Sequence, residues 1–484
     1  MKLNNPELLR SQCLINGEWC DALSGKREAV INPATGAELV SIPLVSEEET
    51  QQAIAAAQRA QNEWKQLTAK QRSALLLAWA DKVLAAQEDL AQLMTAEQGK
   101  SLAEARGEVA YAASFITWFA EEAKRVDGAV LQAPQASQRL VVVKQPIGVC
   151  AAITPWNFPA AMITRKVAPA LAAGCAIIVK PAEQTPLTAL ALAKLAQDAG
   201  IPAGVLQVVT GEAAQVGKVL CDSPVVRKLS FTGSTEVGRI LMAQCAPSIK
   251  KLSLELGGNA PVIVFDDANL DAAVAGIMAS KFRNSGQTCV CANRIYVQDG
   301  IYERLAEKLV AAVEQLKVGD GSQEGTTQGP LIDSDAVAKV QSHIDDALIK
   351  GAQIATGGQP HALGGTFFQP TVVTGVTQKM RFAKEETFGP VAPLFRFHDE
   401  AEAIAMANDT EFGLAAYLFT QNAARQWRVP EALEYGMVGI NTGLISNEVA
   451  PFGGVKQSGL GREGSRYGIE EYLELKYLCI DVSC

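Results

Sequence analysis

The stretch N-S-G-Q-T-C-V-C-A-N (residues 284–293) sets two cysteines, Cys289 and Cys291, one residue apart among small polar neighbours. A thiol so placed serves a metal site, a disulfide or a nucleophile, or it is a small buried hydrophobe. A structural metal needs about four ligands in paired spacing. No second cysteine pair follows, and the three histidines lie scattered: His343 in a helical run, His361 in a Gly-rich loop, His398 beside acids. The metal reading fails. A Cys–His hydrolase tolerates distant partners, but none of these histidines stands in a small-residue, catalytic context. Cys289 follows Gly-Gln-Thr at the expected end of a helix, where a thiol is presented to a cleft. In an extended segment Cys291 points to the other side and is structural.

Three more segments carry chemistry. In L-E-L-G-G-N (254–259), Glu255 lies between leucines on an apolar strand before two glycines. A carboxylate there is either ion-paired or held at raised pKa, and the second state suits a general base. In T-P-W-N-F-P (154–159), prolines fix the backbone at both ends and hold Asn157 between aromatics. A rigid side-chain amide is what an oxyanion hole requires, although a tight turn packed by Trp156 and Phe158 explains the same residues. In F-T-G-S-T-E-V-G (231–238), a strand ends and a helix opens, offering backbone N–H groups to a phosphate. It matches neither G-x-G-x-x-G nor the P-loop pattern.

The elements that must position these residues alternate from residue 147 onward. Apolar runs such as V-C-A-A-I-T-P, A-I-I-V-K-P, V-L-Q-V-V-T-G and K-L-S-F-T-G each end in Gly or Pro and lead into helical stretches; K-L-S-L-E-L-G-G follows them. Strands this apolar are buried on both faces, which predicts a parallel sheet with helical crossovers. Ligands bind at the carboxyl ends of such strands. A second alternating block runs from P-V-I-V-F (261–265) to about residue 450 and contains Cys289, so the two blocks are expected to face each other across a cleft. Before them, residues 46–123 read as helices: one ending near Lys65, then 69–93 and 98–123. Ser46 with Glu49 predicts the first capping box. R-L-V-V-V-K (139–144) and Y-L-E-L-K-Y-L-C-I (472–480) are expected to pair as detached strands, which predicts oligomerisation.

At 484 residues, 48% hydrophobic and 20% charged, the chain is globular and has more than one domain. A net charge of −9 argues against a nucleic-acid partner. The longest uncharged apolar run, 167–179, is too short to span a bilayer. Without an export signal at the N-terminus, the ten cysteines are expected as reduced thiols in the cytoplasm.

These segments, with V-K-P-A-E-Q-T-P (179–186), E-E-T-F-G-P (385–390) and P-F-G-G-V-K-Q-S-G-L-G-R-E (451–463), resemble the aldehyde dehydrogenase superfamily over nearly the whole chain. M-I-T-R-K (162–166), K-F-R-N-S-G-Q-T-C-V-C-A-N-R (281–294) and G-L-I-S (443–446) bring it nearest to the succinate-semialdehyde dehydrogenases. The resemblance implies an α/β fold: a Rossmann-like parallel-sheet cofactor domain (1–125 and 147–256), an α/β catalytic domain (257–454) and a small β oligomerisation arm (126–146 and 455–484). It implies a homo-oligomer, dimer or tetramer, working without metal. Cys289 becomes the nucleophile, Asn157 the oxyanion donor and Glu255 the base that activates water. Trp156, Lys180, Glu183, Gly233, Ser234, Glu386 and Phe388 match cofactor contacts.

Glu183 implies NAD over NADP, because a carboxylate accepts ribose hydroxyls and repels a 2′-phosphate. Arg165 and Arg283, with Ser446, match positions that hold the far carboxylate of succinate semialdehyde. Glutarate semialdehyde, one methylene longer, is the alternative substrate, since a methylene discriminates by only about 1–3 kcal/mol. Cys291, two residues from the nucleophile, is a candidate redox partner for it. A cofactor-free cysteine hydrolase would share Cys289, Asn157 and Glu255. It leaves Gly233, Glu183 and Glu386 unexplained.

Overall fold

The computed structural model describes residues 1–483. A first hairpin, β1 (Cys13–Ile15) and β2 (Glu18–Cys20), is followed by a second, β3 (Arg27–Ile31) and β4 (Glu38–Pro43). The helices come next. Ser46 and Glu49 form the expected capping box and start α1 (Glu47–Trp64). The helix expected at 69–93 is two, α2 (Ala69–Ala85) and α3 (Gln87–Gln98), with Ala86 out of helical geometry between them. The one expected at 98–123 begins later, as α4 (Leu102–Glu122). Gly99 closes α3 in the left-handed region (φ 93°), and Ser101 with Glu104 makes a new capping box. Apolar periodicity runs straight through Ala86, which carries no side-chain cap, whereas the Ser101–Glu104 capping box marks the later start of α4.

The parallel sheet takes the predicted form. β7 (Val149–Ile153), β8 (Ile177–Lys180), β9 (Leu206–Val208), β10 (Val226–Thr232) and β11 (Lys251–Glu255) run parallel. They are joined by α5 (Ala161–Ala173), α6 (Pro186–Asp198), α7 (Ala213–Asp222) and α8 (Thr235–Cys245). The hairpin β1–β2 extends one edge. At the other edge β19 (Gly459–Leu460) pairs antiparallel with β11. Trp64 and Trp79 are buried beside this sheet, each donating its indole N–H at 3.1 Å to a helix carbonyl, of Leu171 and Leu192 respectively.

The second block is a seven-stranded sheet ordered β14-β15-β16-β13-β12-β17-β18: Gln353–Thr356, Thr371–Val376, Val391–Phe397, Ala292–Gln298, Ala260–Val264, Ala415–Phe419 and Met437–Ile440. Only the edge strand β14 is antiparallel. Its helices are α9 (Leu270–Lys281), α10 (Tyr302–Val313), α11 (Ser334–Ile349), α12 (Glu400–Asn408) and α13 (Arg425–Ala432).

The detached strands pair as expected: β20 (Leu473–Asp481) runs antiparallel to β6 (Gln138–Pro146), with β5 (Ala129–Leu131) on its far side. The tail as a whole does not belong to that arm. Residues 455–472 return to the first sheet through β19, and α14 (Ser465–Glu470) packs against α4 and α5. Two consecutive residues of ladder are too short a signal to be read from sequence.

Candidate active site

The carboxyl ends of β7, β10 and β11 open onto a cavity of about 290 Å³, which the loop between α9 and β13 closes from the side of the second sheet. Eight of the expected residues line it. Trp156, Asn157, Gly233, Ser234 and Glu255 come from the first block, Cys289, Glu386 and Phe388 from the second. Met162, Thr232, Lys339 and Thr387 line it as well and were not singled out from sequence.

Cys289 is not at a helix end. α9 stops at Lys281, and Asn284, Ser285 and Gly286 all take left-handed backbone (φ 50°, 54° and 75°) before an irregular loop presents the thiol. A Cβ on Gly286 would stand 2.1 Å from the Gly389 carbonyl oxygen, so only glycine allows this loop to lie on the 385–390 segment. The side chain of Gln287 fixes the loop further, its Oε1 accepting from the Ile332 N–H at 2.9 Å. Burial pushes the Cys289 thiol up to about 12, against the pull of the Arg165 charge. Burial therefore disfavours the thiolate, and the Arg165 charge favours it. Cys291 is fully buried behind it, its sulfur accepting from Thr288 Oγ1 at 2.8 Å and facing the Lys281 carbonyl at 3.5 Å.

Asn157 is held at both ends. Its Nδ2 donates to the Gln287 carbonyl at 3.0 Å, and its own carbonyl accepts from Lys100 Nζ at 2.8 Å and Asn284 Nδ2 at 3.0 Å. Glu255 is buried with no hydrogen-bond partner on either oxygen. Burial, then the neighbouring Glu463 carboxylate, raise its carboxyl well above the usual range. Of the two states open to it from sequence, this is the unpaired one.

Glu463 was quoted within the 451–463 segment but given no role. It lies between Lys166, which it accepts from, and Arg165, whose Nη2 is 2.9 Å away. Arg165 and Lys166 are neighbours on α5, 297 residues before Glu463 in the case of Lys166, so no local pattern in sequence ties them together.

None of the three residues expected to clamp the substrate carboxylate, Arg165, Arg283 and Ser446, lines the cavity. Arg165 is fully buried, with its guanidinium 3.9 Å from the Phe452 ring and already neutralised by Glu463. Its Nε and Nη2 nevertheless lack an aligned acceptor. Arg283 is half-buried, 4.8 Å from the Phe158 ring. Ser446 is half-buried in the loop after β18.

The remaining expected residues fit a dinucleotide. Gly233 opens the turn into α8, and a Cβ there would meet the Phe231 ring at 2.4 Å, so the backbone stays bare at the start of an 11-residue helix. Ser234 caps that helix, accepting from the Val237 N–H at 3.3 Å. Lys180, buried at the end of β8, donates to Glu183. At the other end Trp156 and Phe388 meet edge to face at 5.5 Å, and Glu386 accepts from the Gly258 N–H at 3.1 Å, its carboxyl raised by burial to about 7. A cysteine, an amide and an unpaired carboxylate thus line one cavity beside a bare helix start.

The chain belongs to the aldehyde dehydrogenase family, whose pattern matches residues 19–478. It is 65% identical over 480 residues to the succinate-semialdehyde dehydrogenase [NADP(+)] GabD of Escherichia coli, covering 99% of this chain and all of that one. It is 64% identical to a glutarate-semialdehyde dehydrogenase of Pseudomonas putida, with both chains fully covered. A crystal structure of an NADP-dependent enzyme of E. coli superposes with a TM-score of 0.99 at 64% identity, covering 99% of this chain and 100% of the other. No helix among the described residues is long and apolar enough to cross a membrane, and they contain no cluster of three or more His, Cys, Asp or Glu suited to a metal.

Proposed function

We propose that this aldehyde dehydrogenase oxidises succinate semialdehyde to succinate, with NAD preferred over NADP. The observation that carries the chemistry is the convergence of Cys289, Asn157 and Glu255 on one cavity with Glu386 and Phe388 opposite. The Cys289 thiolate adds to the aldehyde carbon. The Asn157 amide and the Cys289 backbone N–H receive the oxyanion of the resulting thiohemiacetal. A bound nicotinamide dinucleotide supplies the hydride acceptor. Glu255 then takes a proton from water, which attacks the thioester and releases the acid. The raised pKa of Glu255 keeps it basic enough for that step.

The substrate's far carboxylate is held by Arg165 and Arg283, aided by Ser446. The unaligned Nε and Nη2 donors of Arg165 support this, because a buried N–H without an acceptor is costly until a ligand supplies one. Glutarate semialdehyde is the second reading, favoured by the 64% identity to the Pseudomonas enzyme. Lys180 and Glu183 receive the adenosine ribose, and the Glu183 carboxylate repels a 2′-phosphate. The strands β5, β6 and β20 form the arm of a homo-oligomer.

Reduced-nicotinamide formation tests the reading, with succinate semialdehyde, glutarate semialdehyde and an uncharged aldehyde of similar length each paired with NAD and NADP. Faster turnover of the carboxylated substrates, lost in Arg283→Ala, is the expected result. Equal turnover of the uncharged aldehyde overturns the substrate assignment and leaves the dehydrogenase chemistry standing. A higher kcat/KM with NADP overturns the role of Glu183.

A further inference from the structure

Lys100 and Glu108 form an ion pair with essentially no exposure, Nζ to Oε2 at 2.6 Å. A buried pair of this kind stabilises a fold poorly, because desolvating two charges offsets their attraction and an apolar pair of similar volume does as well. Its bonds point to another use. Besides Glu108, Lys100 Nζ donates to the Asn157 carbonyl at 2.8 Å and stands 3.9 Å from the Phe158 ring. Glu108 Oε1 accepts from the Ala160 and Ala161 N–H groups at 2.9 and 3.2 Å. Those are the first amides of α5, a helix whose own N-cap residue, Ala160, has no side chain to offer. One turn earlier on α4, Glu104 Oε1 accepts from the Asn284 N–H at 2.7 Å, and Asn284 is the second donor to the Asn157 carbonyl. Three charges at the start of α4 thus tie the Asn157 segment, the head of α5 and the loop that carries Cys289 into one frame.

We propose that the Lys100–Glu108 pair is a positioning device for the oxyanion site: it fixes the Asn157 backbone against the head of α5, so that the Asn157 amide stays aligned with the oxygen bound at Cys289. The proposal rests on the reading of Asn157 as oxyanion donor. Neither residue touches substrate. Their contribution lies in the geometry of the amide, where displacements well under an ångström matter because the developing charge is met by fixed dipoles.

The test uses the full-length enzyme with Lys100→Met, and with Lys100→Met/Glu108→Gln, which leaves no unpaired buried charge. The pre-steady-state burst of reduced nicotinamide reads the steps that build and discharge the oxyanion. The expected result is a burst slowed roughly 10- to 100-fold, with aldehyde KM and NAD affinity within about threefold of wild type. The same substitutions are then made on an Asn157→Ala background, where they are expected to cost about twofold or less, because the group they position is gone. An equal loss on both backgrounds, or a wild-type burst in a folded variant, overturns the proposal and leaves the oxyanion role of Asn157 intact. A wild-type burst in Asn157→Ala alone overturns the oxyanion reading itself. If neither variant keeps the native circular dichroism and NAD binding, the pair is structural and the proposal falls.

Discussion

In the proposed mechanism Cys289 and Glu255 share one difficulty: each must be charged to work, and each sits where burial opposes charge. The thiol at about 12 loses its proton only as pH rises, so the thiolate fraction grows across the whole range below that value. Alkylation of Cys289 by iodoacetamide in the absence of cofactor should accelerate about tenfold per pH unit above neutrality; a plateau below about pH 8 would show that a nearby group already ionises it. Arg165 is the positive neighbour that favours the thiolate, so Arg165→Met should slow the same reaction at fixed pH. For Glu255, the expected result of Glu255→Gln is one equivalent of reduced nicotinamide per site followed by turnover slowed roughly 10²- to 10⁴-fold, because hydride transfer precedes the water step. Loss of the burst as well would move Glu255 to the activation of Cys289. Cys291 needs its own measurement: a disulfide with Cys289 requires breaking the contacts to Thr288 and the Lys281 carbonyl. Peroxide inactivation reversed by thiols, and absent in Cys291→Ala, would support it; identical sensitivity in that variant would remove Cys291 from the chemistry.

At the scale of elements, the segment that carries Glu386 depends on α11. His343, buried on that helix, faces Thr387 Oγ1 through Nδ1 at 3.2 Å and Glu385 through Nε2 at 3.3 Å. Burial, with the Arg381 charge, lowers its pKa from 6.5 to about 4. A base with a depressed folded pKa binds its proton mainly in the unfolded chain between those two values, so stability falls as pH drops from 6.5 toward 4 and is unaffected above it. The full effect is roughly 3 kcal/mol. Thermal unfolding of His343→Asn should show a shallower loss over that window than wild type; parallel curves would mean that the imidazole stays solvated. Most elements were legible in sequence because their signals are local: apolar runs punctuated by Gly or Pro for β7 to β11, a capping box for α1. The break at Ala86 between α2 and α3 was not, since alanine-rich faces stay in phase across a single residue of broken geometry, while the break before α4 was legible but falls at 99–101 rather than 94–97.

For the whole molecule, the exposed arm is the feature to test. Leu131 and Leu475 are 48% and 69% exposed on one face of the three-stranded sheet, opposite Leu140 and Lys144 of its central strand. An apolar sheet face in water marks an interaction surface. Leu475→Arg with Leu131→Arg should lower the mass measured by light scattering to that of a smaller assembly, with the burst at each site retained. An unchanged mass would place the subunit contacts elsewhere.

The sequence by itself determined the family, the alternation that builds two facing sheets, the strand pair of the arm, and eight of the residues that line the cavity. All of these rest on residue types at fixed spacing within short segments. The tertiary structure alone decided the burial that raises the Cys289 thiol, the unpaired state of Glu255 and the pairing of Arg165 with Glu463. It alone joined Lys100 and Glu108 to Asn157. The physical reason is common to all four: the energy of a charge depends on how much water and which opposite charge surround it, and those neighbours come from segments 50 to 300 residues away in the chain.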